Sequence, residues 1–424
     1  MRSRLAVLVT GAALLAAACG SRADHANVKT VFPGYEFSAR PGAGGSGEPG
    51  VSANEITIAN LADLTGPVPG LFKAAQDGMK AFVAYINSTG GVNGRKLKLT
   101  TFDSNTNATQ HRIATTRACK DAFSIVGAFS VGDNGGAQVG EKCGIPNLID
   151  AATSVEAGQA KNTFAVNPTP ANFWPDGLPK YIKQEYPSVI KKAGSLTIDN
   201  AVTKLAADRA IYTAKSVGFK FVYEELTPVI VSNFTPYVVA MKNKGVQYFT
   251  WSGEYQNLAR LMQAMKQQNW RPKVIDVSPV AYSDDFLKQA GEAAEGILFY
   301  LNTAMVEEAS GNPEMKLYID WLKKTVPGAR PDIFGVYSWS AGLLFVKALK
   351  AAGPNPTRKK VINDLENTHE WTGNGLQPPT DPGGRKPSPC VMYATVKNGK
   401  FIRAYPDEGY DCKLGSLYEI EELS

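Results

Sequence analysis

From Val51 onward, short apolar segments alternate with helix-length ones, and this alternation narrows the fold more than any motif does. "ITIANLA" (56–62) has the near-continuous apolar character of a strand covered on both faces. The next stretch carries Phe72, Ala75, Met79, Phe82 and Ile86 at helical spacing and stops at Gly90 and Gly91. "RKLKLTTFD", "SIVGAF" and "IPNLID" read as further strands, separated by the helical "NATQHRIATTRACKDAF" and "GGAQVGEKC". A second series begins at "AGSLTID" and passes through a helix ending at Gly218, then the strands "FKFVYEEL", "QYFTWSG" and "KVIDVS". Strands joined by helices make parallel sheets, because parallel neighbours need a crossover. The expected fold class is therefore α/β: two Rossmann-like lobes with parallel sheets. A long helix over "GVYSWSAGLLFVKALKAAG" and a late hairpin turning at Asn398-Gly399 follow both series.

The first residues are processing signals and not fold. Arg2 and Arg4 precede an apolar run from Leu5 to Ala18, shorter than the ~20 residues a membrane-spanning helix needs. Ala16-Ala17-Ala18-Cys19 resembles a bacterial lipobox, although Ala16 stands where leucine is more usual. The expectation is a signal peptide over 1–18, lipidation of Cys19 and a flexible tether over 19–50. That makes the chain extracytoplasmic and attaches it to the cell membrane through a lipid anchor. Ordinary signal-peptidase cleavage is the alternative. Cys119, Cys143, Cys390 and Cys412 remain, an even number in an exported chain, which favours disulfides. Cys119–Cys143 and Cys390–Cys412 are the expected pairs, since each closes a short loop.

Several function classes are disfavoured. The net charge of +6 is spread thinly, and Arg358, Lys359 and Lys360 read as a solvated cluster, so no nucleic-acid partner is expected. His25, His111 and His369 lie far apart and no CxxC occurs, so no metal and no cofactor are expected. The chain lacks GxSxG, HExxH and Walker A motifs. His111 reads as a surface histidine and His369 as a loop residue, which leaves no catalytic constellation. The acid pairs Glu224-Glu225, Asp284-Asp285 and Glu307-Glu308 read as solvated charge. The chain is not expected to be an enzyme; a secreted hydrolase relying on His369 is a remote rival.

In open α/β sheets, ligands bind beyond the carboxyl ends of the strands. The loops there are "ADLTGPVPG", "FSVGDNGG" and "DAATSVE" in the first series, then "DNAVTK", "WSGEYQN" and "VAYSDD" in the second. They nominate Ser130, Ala151, Thr153, Asn200, Trp251 and Tyr282 as ligand contacts, a mixture suited to a small polar or amphipathic molecule.

Across "LTGP", Asp77-Gly78, "INSTGGVNGRKLKL" and Asp103, the chain resembles the type I periplasmic binding proteins, especially the leucine/isoleucine/valine-binding receptors of ABC transporters. A weaker echo runs on through "GIPNLIDAAT" to "SWSAGLLFVKALKAAG". The resemblance implies two lobes joined by three crossings: lobe 1 over 51–166, lobe 2 over 167–302, a return to lobe 1 over 303–385, and a C-terminal hairpin and tail over 386–424 on lobe 2. It implies a monomer that binds a small molecule and docks on an ABC permease in the membrane. By position, the contacts for a ligand's α-carboxylate and amine fall near Ser130, Val131, Ala151 and Thr153. The acid that pairs with the amine is replaced near Val280, and a usual tyrosine is replaced near Val202 or Thr203. Those departures, with the aromatics Phe72, Phe129, Trp251 and Tyr282, point away from a zwitterion and towards an amide or an aromatic or organic acid. An extracellular sensor of the same fold, signalling without transport, is the second reading.

Overall fold

The structure, a computed structural model, describes residues 47–423. Residues 1–46, including Cys19 and His25, lie outside the described residues. The first layer is built from β1 (Glu55–Ala62), α1 (Lys73–Ser88), β2 (Lys96–Asp103), α2 (Ala108–Asp121), β3 (Ser124–Ala128), α3 (Asn134–Cys143), β4 (Asn147–Ile149), α4 (Val155–Gln159) and β5 (Thr163–Ala165). The strands form one sheet in the order β2-β1-β3-β4-β5, every pair parallel. Ala59 sits opposite Thr100 on one side and Ile125 on the other. From Ile58 to Ala62, β1 is buried without a break, as a strand covered on both faces must be.

The chain then builds β6 (Phe173–Pro175), α5 (Gly177–Glu185), β7 (Ala193–Ile198), α6 (Ala201–Val217), β8 (Phe221–Thr227), α7 (Thr235–Lys244), β9 (Tyr248–Ser252), α8 (Tyr255–Gln267), β10 (Val274–Val277), α9 (Asp284–Ala290) and β11 (Leu298–Tyr300). Next come α10 (Pro313–Thr325), α11 (Ile333–Ala352), α12 (Arg358–Glu366), β12 (Tyr393–Lys397), β13 (Lys400–Tyr405) and β14 (Leu417–Glu419). The second sheet has the order β13-β12-β11-β10-β9-β7-β8. It is parallel from β8 to β11 and antiparallel across β11, β12 and β13. β14 pairs with β6 alone.

α10 and α11 return to the first sheet and pack with α1. Of the 20 residues of α11, 17 are buried, so it is apolar all round and serves as core. It lies close to α1 because Gly78 meets Gly335: a Cβ on Gly78 would stand 2.6 Å from the Gly335 carbonyl oxygen. Three segments cross between the sheets and are bonded to one another. Asn302 donates to Asn167 Oδ1 at 3.1 Å, Thr380 Oγ1 donates to the Val166 carbonyl at 2.8 Å, and the Ala304 amide donates to the Leu376 carbonyl at 2.7 Å.

Two disulfides form, Cys119–Cys143 between α2 and α3, and Cys390–Cys412 near the end of the chain. The readings of Arg358, His111, Glu307 and Glu308 change. Arg358 is not solvated: it is 7% exposed and donates to the carbonyls of Phe123, Cys143, Cys119 and Ala122 at 2.6–3.2 Å. It therefore satisfies carbonyls at the C-terminal ends of α2 and α3, around the first disulfide. His111 is also buried, between α2 and α3, where burial pushes its imidazole down to about 4 and keeps it neutral. Glu307 and Glu308 are likewise engaged, with Tyr282 and Arg403 respectively. Replacing Arg358 with methionine strips donors from four carbonyls, and a loss of about 3 kcal/mol is expected in urea denaturation.

Candidate functional site

The carboxyl ends of the two sets of parallel strands open on a shared cavity of about 550 Å³. Its first wall is aromatic. Phe72, just before α1, packs edge-on against Phe129 after β3 (ring centroids 4.3 Å apart) and Phe334 in α11 (4.9 Å). Leu71 and Val68 extend this wall. The opposite wall holds Ile198, Val202, Trp251 and Val280, and Trp174 on β6, Tyr300 on β11 and the crossing residues Asn167 and Asn302 complete the cavity.

The hydroxyl and amide donors of Ser130, Val131 and Thr153 on the first wall are taken up from within. Asp63, at the end of β1 and fully buried, accepts from Ser130 Oγ (2.9 Å), the Val131 amide (2.8 Å) and the Thr106 amide (2.9 Å). Burial raises its carboxyl while these bonds pull it back. Asp133 accepts from the Thr153 amide at 2.6 Å, and burial pushes its carboxyl up to about 6. Thr153 Oγ1 in turn donates to the Ser130 carbonyl at 2.8 Å.

The second wall carries the cavity's charge. Among the described residues, Arg209 and Glu254 are its only charged lining residues. Arg209, on α6, is 6% exposed and lies over the Trp174 ring at 5.1 Å. Its Nη1 donates to the carbonyls of Thr169 (2.6 Å) and Pro170 (3.1 Å), whereas its buried Nε has no partner. Burial lowers the guanidinium to about 10, so it stays charged at neutral pH. Glu254 caps α8, accepting from the Asn257 amide at 3.3 Å, and burial raises its carboxyl by more than that bond and the Arg260 charge lower it.

Of the residues nominated by sequence, Phe72, Val131, Ala151, Thr153, Asn200 and Trp251 line this cavity. Ser130 and Tyr282 do not. Ser130 turns its hydroxyl to Asp63. Tyr282 packs on Phe401 and donates to Glu307, which takes it out of the crevice. Asn200 caps α6 through the Thr203 amide at 3.0 Å. Val202, Thr203 and Val280, where the chain departs from the leucine-type pattern, all face the cavity. Sequence reading missed Asp63, Arg209, Tyr300 and Tyr337. Only Asp63 left a signal, as an acid at a strand end. His369 bonds Asp381 at 2.6 Å in an exposed loop outside the cavity. No group of three or more His, Cys, Asp or Glu able to hold a metal occurs among the described residues.

The family profile described as periplasmic binding protein matches residues 55–400. The chain belongs to that family. It is 22% identical to the Leu/Ile/Val-binding protein homolog 1 of Brucella abortus (strain 2308) over 334 residues, covering 77% of this chain and 85% of the relative. It is 23% identical to the leucine-, isoleucine-, valine-, threonine- and alanine-binding protein of Pseudomonas aeruginosa, covering 76% and 86%. Among solved structures, a fatty acid ABC transporter substrate-binding protein from Thermomonospora curvata superposes with a TM-score of 0.74 at 20% identity, covering 88% of this chain and 96% of that one. A branched-chain amino acid transporter substrate binding protein from Streptococcus pneumoniae, in complex with isoleucine, gives 0.68 at 18%, covering 83% and 100%. At these identities the structures show the fold, the two lobes of a type I binding protein. This periplasmic binding protein is thus a solute-binding, extracytoplasmic chain from a family of binders and not of enzymes. Asp63 holds the shape of its first wall. An Asp63→Asn variant would turn an amide N–H towards donors that now meet a carboxylate, and a loss of about 2 kcal/mol in urea denaturation is expected.

Proposed function

We propose that this periplasmic binding protein is a lipid-anchored receptor that captures an apolar-bodied small molecule between its lobes and delivers it to an ABC importer. One observation carries the reading: a single cavity, walled by the strand-end loops of both sheets, is of the size a small ligand fills. A ligand there touches both lobes at once, so it binds the closed arrangement better than the open one. Closure is limited by that difference in affinity; moving a population from 1:99 to 99:1 takes about 5.5 kcal/mol. The closed face then docks on the permease. Relatives named for leucine, isoleucine and valine, and a structural neighbour named for fatty acids, support a solute with an apolar body. Cys19 would hold the receptor at the membrane through its lipid.

The test is thermal unfolding of the chain without its signal, screened against amino acids, amides, and aliphatic and aromatic acids, followed by uptake of any labelled hit in cells lacking the gene. A stabilising ligand whose uptake falls with the gene is expected. Ala206 lines the cavity from α6 and is partly exposed. Ala206→Trp should keep the far-ultraviolet circular dichroism and lose the ligand-induced shift. Stabilisation that survives Ala206→Trp would place binding elsewhere.

A further inference from the structure

Lobe 1 offers its expected carboxylate donors to its own acids. The Val131 amide and Ser130 hydroxyl meet Asp63, and the Thr153 amide meets Asp133. A ligand carboxylate arriving there would displace existing bonds and face two acids. The unmet demand for an anion lies across the crevice. Arg209 is more than nine-tenths buried, uses only Nη1 in hydrogen bonds, and has no carboxylate paired with it among the described residues. A guanidinium has five N–H donors, and a buried charge without a counter-ion is costly. Tyr337, on α11, lines the same cavity with a buried hydroxyl that also lacks a partner.

We infer, resting on the binding reading above, that Arg209 anchors the carboxylate of an aliphatic or aryl-aliphatic monocarboxylic acid, with the Tyr337 hydroxyl as a second donor. The acid's apolar body lies against Phe72, Phe129 and Phe334, opposite Trp251 and Val280. An α-amino acid fits this arrangement poorly. Its ammonium would sit within a few ångströms of the guanidinium, and the lining's one acid, Glu254, already accepts from the Asn257 amide at the start of α8. The anchor also sits on the crossing between lobes, because Arg209 is bonded to Thr169 and Pro170. An anion at the guanidinium therefore draws on the segment that must bend when the lobes close.

The experiment is titration calorimetry of the chain without its signal, with octanoate, 3-phenylpropanoate, their amides, 1-octanol and leucine as probes. At least one of the two acids should bind about 30-fold or more tightly than its amide, the size expected when a buried charge pair is lost, and leucine should bind weakest. Arg209→Gln should erase the preference for acid over amide, and Arg209→Lys should restore part of it, because charge returns without the planar fork. Tyr337→Phe should weaken the acid alone, several-fold. The comparison of acid with amide on the unaltered chain does not depend on any variant folding. Equal affinity for acid and amide, or tighter binding of leucine, would overturn the anchor and leave a solute receptor standing. Absence of binding by every probe, acids, amides, alcohol and amino acid alike, would overturn the anchor and count against the receptor reading as well.

Discussion

All neighbours in the first sheet run parallel, as do the first five strands of the second sheet in chain order, β7 to β11. Parallel strands cannot be joined by tight turns, so each needs a crossover, and all strand ends of one polarity fall on one edge. Those edges meet in one cavity. Every functional statement about this protein depends on that direction: reverse a strand and its loop leaves the crevice. The three crossings then hold the edges opposed, each bonded to a neighbour through Asn167, Thr380 or Ala304.

Within the crevice, the two walls solve their electrostatics differently. Lobe 1 spends its loop donors on buried acids, which fixes the shape of the loops after β1, β3 and β4 and leaves an aromatic face. Lobe 2 buries a cation and leaves it short of an anion. A buried, incompletely bonded guanidinium is unfavourable for folding alone and is best understood as complementarity towards a molecule not part of the chain. Its stacking on Trp174 and its two carbonyl bonds hold the charge in place until then.

Long periodic elements were plain in the sequence. The apolar spacing from Ala75 to Ile86 and the glycines after it mark α1, and Asn398-Gly399 marks the β12–β13 turn. Of the three-residue strands, β4 was legible because it sits in the apolar run "IPNLID", whereas β5, β6, β11 and β14 were not, because three residues alone carry no period. The rule that ligands lie beyond the carboxyl ends of strands located the loops of both lobes, yet Ser130 and Tyr282 fell outside the lining because each found an acid partner nearer than the crevice. Arg209 was hidden in "LAADRAIY", where a lone arginine on an amphipathic helix reads as solvated. Arg358 misled in the same way. What separates both from surface arginines is which carbonyls the fold brings to them, and that is a tertiary fact.

A crystal structure of the chain grown with octanoate would test most directly whether this crevice grips a solute with its charged end in lobe 2. The account predicts density bridging the two walls, with the carboxylate at hydrogen-bond distance, about 2.8 Å, from the Arg209 guanidinium. The heptyl body would lie on Phe72, Phe129 and Phe334. A carboxylate seated instead on Val131 and Thr153, or density confined to the outer surface with the cavity unfilled, would contradict it.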